Sequence, residues 1–159
     1  MQIAIRHPAI VDKLVLVAAA YKREGFLPGF FEGMQHATLA NMPQELKDAF
    51  LKVNPDTAKL QMMFERDRDR MIGFKDMNDD QVKSITAPTL IINGDADVVR
   101  SEHVVEMHRL ISGSRLAVIP GAHGEYLGDI MSANKDPRDM NFVIAITKEF
   151  LARPNKPKQ

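Results

Sequence analysis

Cysteine is absent from the 159 residues, which excludes disulfides, thiolate metal sites and a cysteine nucleophile together. An excess of either charge is also absent. The 21 Lys and Arg residues stand against 21 Asp and Glu, so no overall field draws the chain to nucleic acid or acidic lipid. No apolar run is long enough to cross a bilayer. Met1–His7 lacks the apolar centre of a secretory signal, so no membrane association is expected and a cytoplasmic location is the default. No Gly-rich phosphate loop follows Lys13–Ala19 or Thr89–Asn93, which argues against a nucleotide site. His103 and His108 lie five apart, off the i, i+4 spacing that sets two ligands on one helix face; no metal and no cofactor is expected. Internal repeats and low-complexity segments are missing too. What remains is 45% hydrophobic and 26% charged, the composition of a globular domain, at a length that can bury a real core.

The strongest pattern runs from Ala87 to Tyr126. Thr89–Asn93 is a short apolar run that reads as a buried parallel strand, ending at Gly94-Asp95-Ala96-Asp97. Ser101 is placed to cap a helix to about Ile111, with Val104, Met107 and Ile111 on one face and Gly113 at its stop. Arg115–Ile119 reads as a second strand, followed by the turn Pro120-Gly121-Ala122-His123-Gly124. An Asp and a His thus stand just past the C-terminal ends of two strands in one βαβ unit, the edge where parallel α/β sheets build their sites.

Elsewhere, Met1–His7 reads as the end of a helix stopped by Pro8, and Lys13–Ala19 as a buried strand without alternation. Tyr21–Ser84 reads as helices and turns. Pro43 opens one helix through Leu46, Ala49, Phe50 and Val53. Asp56 caps a longer one with Leu60, Met63, Phe64 and Met71 on its apolar stripe. The alternating charges Glu65–Arg70 read as a solvated helix face. A short helix is expected over Asp79–Ile85. A final helix is expected from an Asp136 cap with Pro137 in its first turn, and with Phe142, Ile146 and Phe150 as its buried stripe. Pro154 stops it, leaving residues 154–159 as a frayed tail.

This order of elements, with Ala87-Pro88-Thr89-Leu90-Ile91-Ile92-Asn93-Gly94-Asp95-Ala96-Asp97 and Pro120-Gly121-Ala122-His123, resembles the C-terminal part of the α/β-hydrolase superfamily. The resemblance implies an α/β fold of about three parallel strands with flanking helices and a helical lid insertion. Residues 1–20 and 85–153 would form the partial core and residues 21–84 the lid. It also implies Asp97 as the acid and His123 as the base of a Ser-His-Asp triad. Asp95 is close by, and spacing alone separates the two aspartates. Tyr126 would line the pocket or pack; Phe30, Phe31 and Met34 would face a small acyl, ester or aromatic substrate from the lid, or would simply pack between its helices.

The triad's serine is not in a Gly-x-Ser-x-Gly elbow anywhere here: Ser84, Ser101, Ser112, Ser114 and Ser132 all lie in other contexts. By the resemblance, Met1 falls inside the nucleophile helix, and the elbow and oxyanion hole belong upstream. The activity implied is hydrolysis of an ester, thioester or related carbonyl bond. The alternative is a catalytically inactive hydrolase-like domain that acts as a binding or interaction module. By the resemblance the strand that neighbours Lys13–Ala19 also belongs upstream, which would leave Lys13–Ala19 an exposed apolar edge, so self-association through residues 13–19 is expected.

Overall fold

The computed structural model describes residues 1–132 and 137–154. Three strands, β1 (Leu14–Val17), β2 (Thr89–Ala96) and β3 (Arg115–Ala122), pair in parallel in the order β1-β2-β3. The helices are α1 (Gln2–Arg6), α2 (Phe30–His36), α3 (Gln44–Val53), α4 (Thr57–Ile72), α5 (Asp79–Lys83), α6 (Ser101–Leu110) and α7 (Pro137–Ala152). The expected three-stranded parallel sheet with flanking helices is therefore present.

Successive side chains of a strand point to opposite faces, yet Leu90, Ile91 and Ile92 of β2 are all buried. Both faces of the central strand are therefore covered. Ile91 packs with Leu16, Val104, Met107 and Ile111 on one side, while Leu90 and Ile92 pack with Ile119, Tyr126, Val143 and Phe150 on the other. Each such side chain contributes roughly 1.5–3 kcal/mol of burial. The α6 face of Val104, Met107 and Ile111 is the expected one.

Three sequence expectations need correction. Arg100, extended at φ −64° and ψ 140°, is the N-cap of α6, and Ser101 lies inside the helix with its Oγ buried and without a partner. In α7, Phe142 is 55% exposed and Val143 is buried at 2%, so the inward stripe is Val143, Ile146 and Phe150 at i, i+3 and i+7. β2 also runs on to Ala96, and β3 to Ala122, beyond the apolar runs that announced them. The proposed Asp136 cap and the tail from Asn155 onward lie outside the described residues.

The chain divides into two compact units, Leu27–Lys75 and the remainder. The boundary falls inside the span 21–84 read from the sequence. Tyr21, Met77 and Val82 are buried in the core of the sheet unit. The Met77 N–H donates to the Tyr21 carbonyl at 2.8 Å and the Arg23 N–H to Asp76 Oδ1 at 2.7 Å. His103 belongs to the same core: its ring stacks on Tyr21 at 4.5 Å, and its Nε2 accepts the Tyr21 N–H at 3.2 Å. In the helical unit, α2 and α3 both pack on α4. Asp56 caps α4 by accepting the Lys59 N–H at 3.1 Å, as its sequence position predicts.

β1 is an edge. The N–H groups of Leu14 and Ala18 reach across to the carbonyls of Pro88 and Ile92. In a parallel ladder alternate residues use both backbone groups on one side, so Val15 and Val17 turn theirs outward, where no described strand pairs with them. An apolar edge without charge or proline is a template for another chain. The expected outcome is concentration-dependent association by sedimentation, weakened by Val15→Lys. A monodisperse monomer indifferent to that change would contradict it.

Candidate active site

The site is built where β2 and β3 leave the sheet. Gly94 is required there: a β-carbon on it would lie 2.3 Å from the Gly121 carbonyl oxygen. That close approach brings the two strand ends together, and the pairing register shifts between Gly94 and Ala96. Beyond the shift, Asp97 turns back into the protein with its side chain fully buried, while the His123 side chain is 57% exposed. Asp97 Oδ1 accepts from His123 Nδ1 at 2.9 Å and from the Val99 N–H at 3.2 Å. The Tyr126 hydroxyl points at Oδ2 from 3.5 Å.

Electrostatics follow from this geometry. Burial pushes the Asp97 carboxyl up, but the His123 hydrogen bond and the Val99 and Val98 amides outweigh it and hold the group below the usual carboxylate value. The His123 imidazole is raised above its ordinary 6.5, chiefly by the Asp97 hydrogen bond, against burial and with help from the charges of Asp97 and Asp129. An ionised carboxylate only accepts, so Nδ1 carries the ring proton and Nε2 is the basic nitrogen. Burial, then the charge of Asp97, drives the Tyr126 hydroxyl far above the ordinary tyrosine value, so it stays protonated and able to donate.

The structure thus brings Asp97, His123 and Tyr126 together. Tyr126 is fully buried, its ring among Leu90, Ile92 and Ile119. It has no exposed face in this chain, which fits the packing alternative that the sequence left open, and its hydroxyl faces the acid. Phe30, Phe31 and Met34 lie in the helical unit on α2, half-buried, with Phe30 edge-on to Phe31 at 5.2 Å and Phe31 6.2 Å from Phe74.

Asp95 does not compete for the histidine. Its Oδ1 accepts the Gly121 N–H at 2.9 Å. Asn93 is a residue the sequence reading passed over. It is fully buried, and its Nδ2 donates to the carbonyls of Gly94 at 2.8 Å and Val99 at 2.9 Å, closing the loop that carries Asp97. The available signal was a polar side chain at the end of an otherwise apolar strand.

A serine–histidine contact elsewhere in the sheet unit does not activate a nucleophile. Ser114 Oγ lies 2.8 Å from His108 Nδ1, but its hydroxyl proton goes to the His108 carbonyl at 3.0 Å. The ring nitrogen must then donate to the hydroxyl instead of accepting from it. A cavity of about 520 Å³ opens at the other edge of the sheet, among Pro8, Lys13, Thr86, Ser112, Arg115 and Phe150. Its lysine is tied to the carbonyls of Leu151 and Arg153. Among the described residues no cluster of His, Asp and Glu could hold a metal ion, and no helix is long and apolar enough to cross a membrane.

Comparison with solved structures agrees with the fold described above. A meta-cleavage product hydrolase from Pseudomonas fluorescens matches 93% of the chain with a TM-score of 0.62 at 21% identity. A serine hydrolase involved in carbazole degradation matches 95% with a TM-score of 0.62 at 21% identity. An enol-lactonase from Burkholderia xenovorans matches 95% with a TM-score of 0.52 at 17% identity. The chain spans 58%, 58% and 60% of these proteins' lengths. No family model and no curated protein matches the sequence. With its parallel strands in place and only part of each matched protein covered, the chain carries the C-terminal part of the α/β-hydrolase fold.

Proposed function

We propose that this chain supplies the base and the acid of a serine-type hydrolysis, with His123 as the base and Asp97 as the group that orients it. The observation that carries the reading is the 2.9 Å contact from His123 Nδ1 to a buried Asp97 oxygen, formed past the ends of two neighbouring parallel strands. A serine hydroxyl needs a neutral imidazole to take its proton, and the imidazole needs a carboxylate to fix its tautomer and stabilise the imidazolium. His123 has Nε2 free for that proton. The serine and the oxyanion donors would come from a polypeptide outside this chain. The substrate would be an ester, thioester or related carbonyl compound; the meta-cleavage product hydrolase and the enol-lactonase among the matched structures support that range.

The test is reassembly. The chain by itself should hydrolyse p-nitrophenyl esters no faster than its His123→Ala variant. Mixed or fused with the nucleophile-bearing part of a matched hydrolase, it should gain turnover that His123→Ala removes. Turnover by the isolated chain that disappears on replacing one of its own five serines would contradict the proposal. The pH dependence has a definite sign. The base works only when neutral, and its folded pKa is raised, so kcat/KM should climb with pH through a midpoint above 6.5.

A further inference from the structure

The turn that presents His123 is held by two carboxylates on consecutive backbone amides. The Gly121 N–H donates to Asp95 Oδ1 at 2.9 Å, and the Ala122 N–H donates to Glu125 Oε2 at 2.8 Å. One carboxylate comes from β2, 26 residues away, and the other from the short turn just after the histidine. These amides lie at the end of β3, an edge strand of the described sheet, where the register to β2 has already slipped. The backbone there is specialised: Gly121 has φ +134°, and a β-carbon on it would stand 3.1 Å from Glu125 Oε2.

We propose that Asp95 and Glu125 are positioning residues for the histidine. By fixing the two amides that precede His123, they set the direction of its Cα–Cβ bond and hence the contact to Asp97. The carboxylates act as acceptors. The same two contacts explain why two aspartates stand together after β2, since Asp97 holds the ring and Asp95 holds the backbone that carries the ring. This proposal rests on reading His123 as the base that Asp97 orients.

The experiment is a proton NMR titration of the His123 ring in the 159-residue chain, assigned by its loss in His123→Gln. The unaltered chain should titrate above 6.5, and Asp97→Asn should bring the midpoint down. Asp95→Ala and Glu125→Ala should each lower the midpoint toward 6.5 although neither residue touches the ring. Asp95→Asn and Glu125→Gln, which keep an acceptor oxygen without the charge, should hold the midpoint near that of the unaltered chain. An unaltered midpoint at or below 6.5 that ignores Asp97→Asn would overturn the reading of the pair itself. A raised, Asp97-dependent midpoint that both alanine variants leave unchanged would overturn the positioning proposal alone. So would Asn and Gln variants that fall as far as alanine, because charge would then be the cause. If an alanine variant fails to fold, hydrogen exchange in the unaltered chain decides together with the Asn and Gln variants. Protected Gly121 and Ala122 amides support the two bonds, and exchange as fast as in the unfolded chain overturns them.

Discussion

In a reassembled hydrolase, Asp97→Asn is expected to lower kcat by about ten-thousand-fold with little change in KM. The substitution keeps shape and leaves an oxygen able to accept the Val99 N–H, which now bonds Oδ1 at 3.2 Å. What it changes is the partner of His123. The Val99 N–H and the ring Nδ1–H both reach Oδ1, so the amide oxygen takes that place and the ring loses the negative charge that stabilises its imidazolium. The fold should survive, because the buried carboxylate is replaced by a neutral group of equal size and no buried charge is left unpaired. Steady-state kinetics beside a thermal melt separate the two effects. A loss of less than about ten-fold in kcat would mean that the carboxylate does not stabilise the imidazolium.

The largest structural effect is expected from Gly94→Ala. A new β-carbon would lie 2.3 Å from the Gly121 carbonyl oxygen and 3.2 Å from that of Ala122. Both are backbone atoms of β3 and neither can rotate away. The end of β3 must shift, at a cost of about 1–3 kcal/mol for overpacking of this kind. The shift also strains the Asp95–Gly121 bond and carries His123 off Asp97. Gly33, inside α2, supplies the contrast. Nothing lies within 4 Å of its would-be β-carbon. Ala there should stabilise by roughly 0.5–1 kcal/mol, because glycine in a helix interior holds excess freedom in the unfolded chain. Denaturant unfolding of the two variants should move in opposite directions. Equal, small changes would show that the β2–β3 approach is not as tight as described.

The strand run Thr89–Asn93 was legible because parallel strands buried on both faces consist of uninterrupted apolar residues. The Asp97–His123 pair was legible because both residues stand in turns directly after such runs. Their partners were not. Asn93, Asp95 and Glu125 are ordinary polar residues in sequence. They acquire a role only through backbone groups, the farthest 26 residues away, that the fold brings within 3 Å. Tyr126 was open between two readings for a related reason. A tyrosine three residues after a candidate base looks like a pocket wall, but the short turn Glu125–Leu127 points it into the core. Phe142 was read into the α7 stripe because it lies four residues before Ile146, whereas the stripe continues through Val143 at the i, i+3 spacing. The segments Tyr21–Phe26 and Asp76–Ser84 carry no strand pattern; their buried side chains and backbone bonds such as Arg100 N–H to the Gly25 carbonyl tie them to the sheet unit.

The most direct test of the Asp97–His123 assignment is nitrogen-15 NMR of the His123 ring in the folded chain. At a pH where the imidazole is neutral, the account predicts the proton on Nδ1, hydrogen-bonded to Asp97, with Nε2 showing the shift of an unprotonated nitrogen. A neutral ring that carries its proton on Nε2 would contradict it.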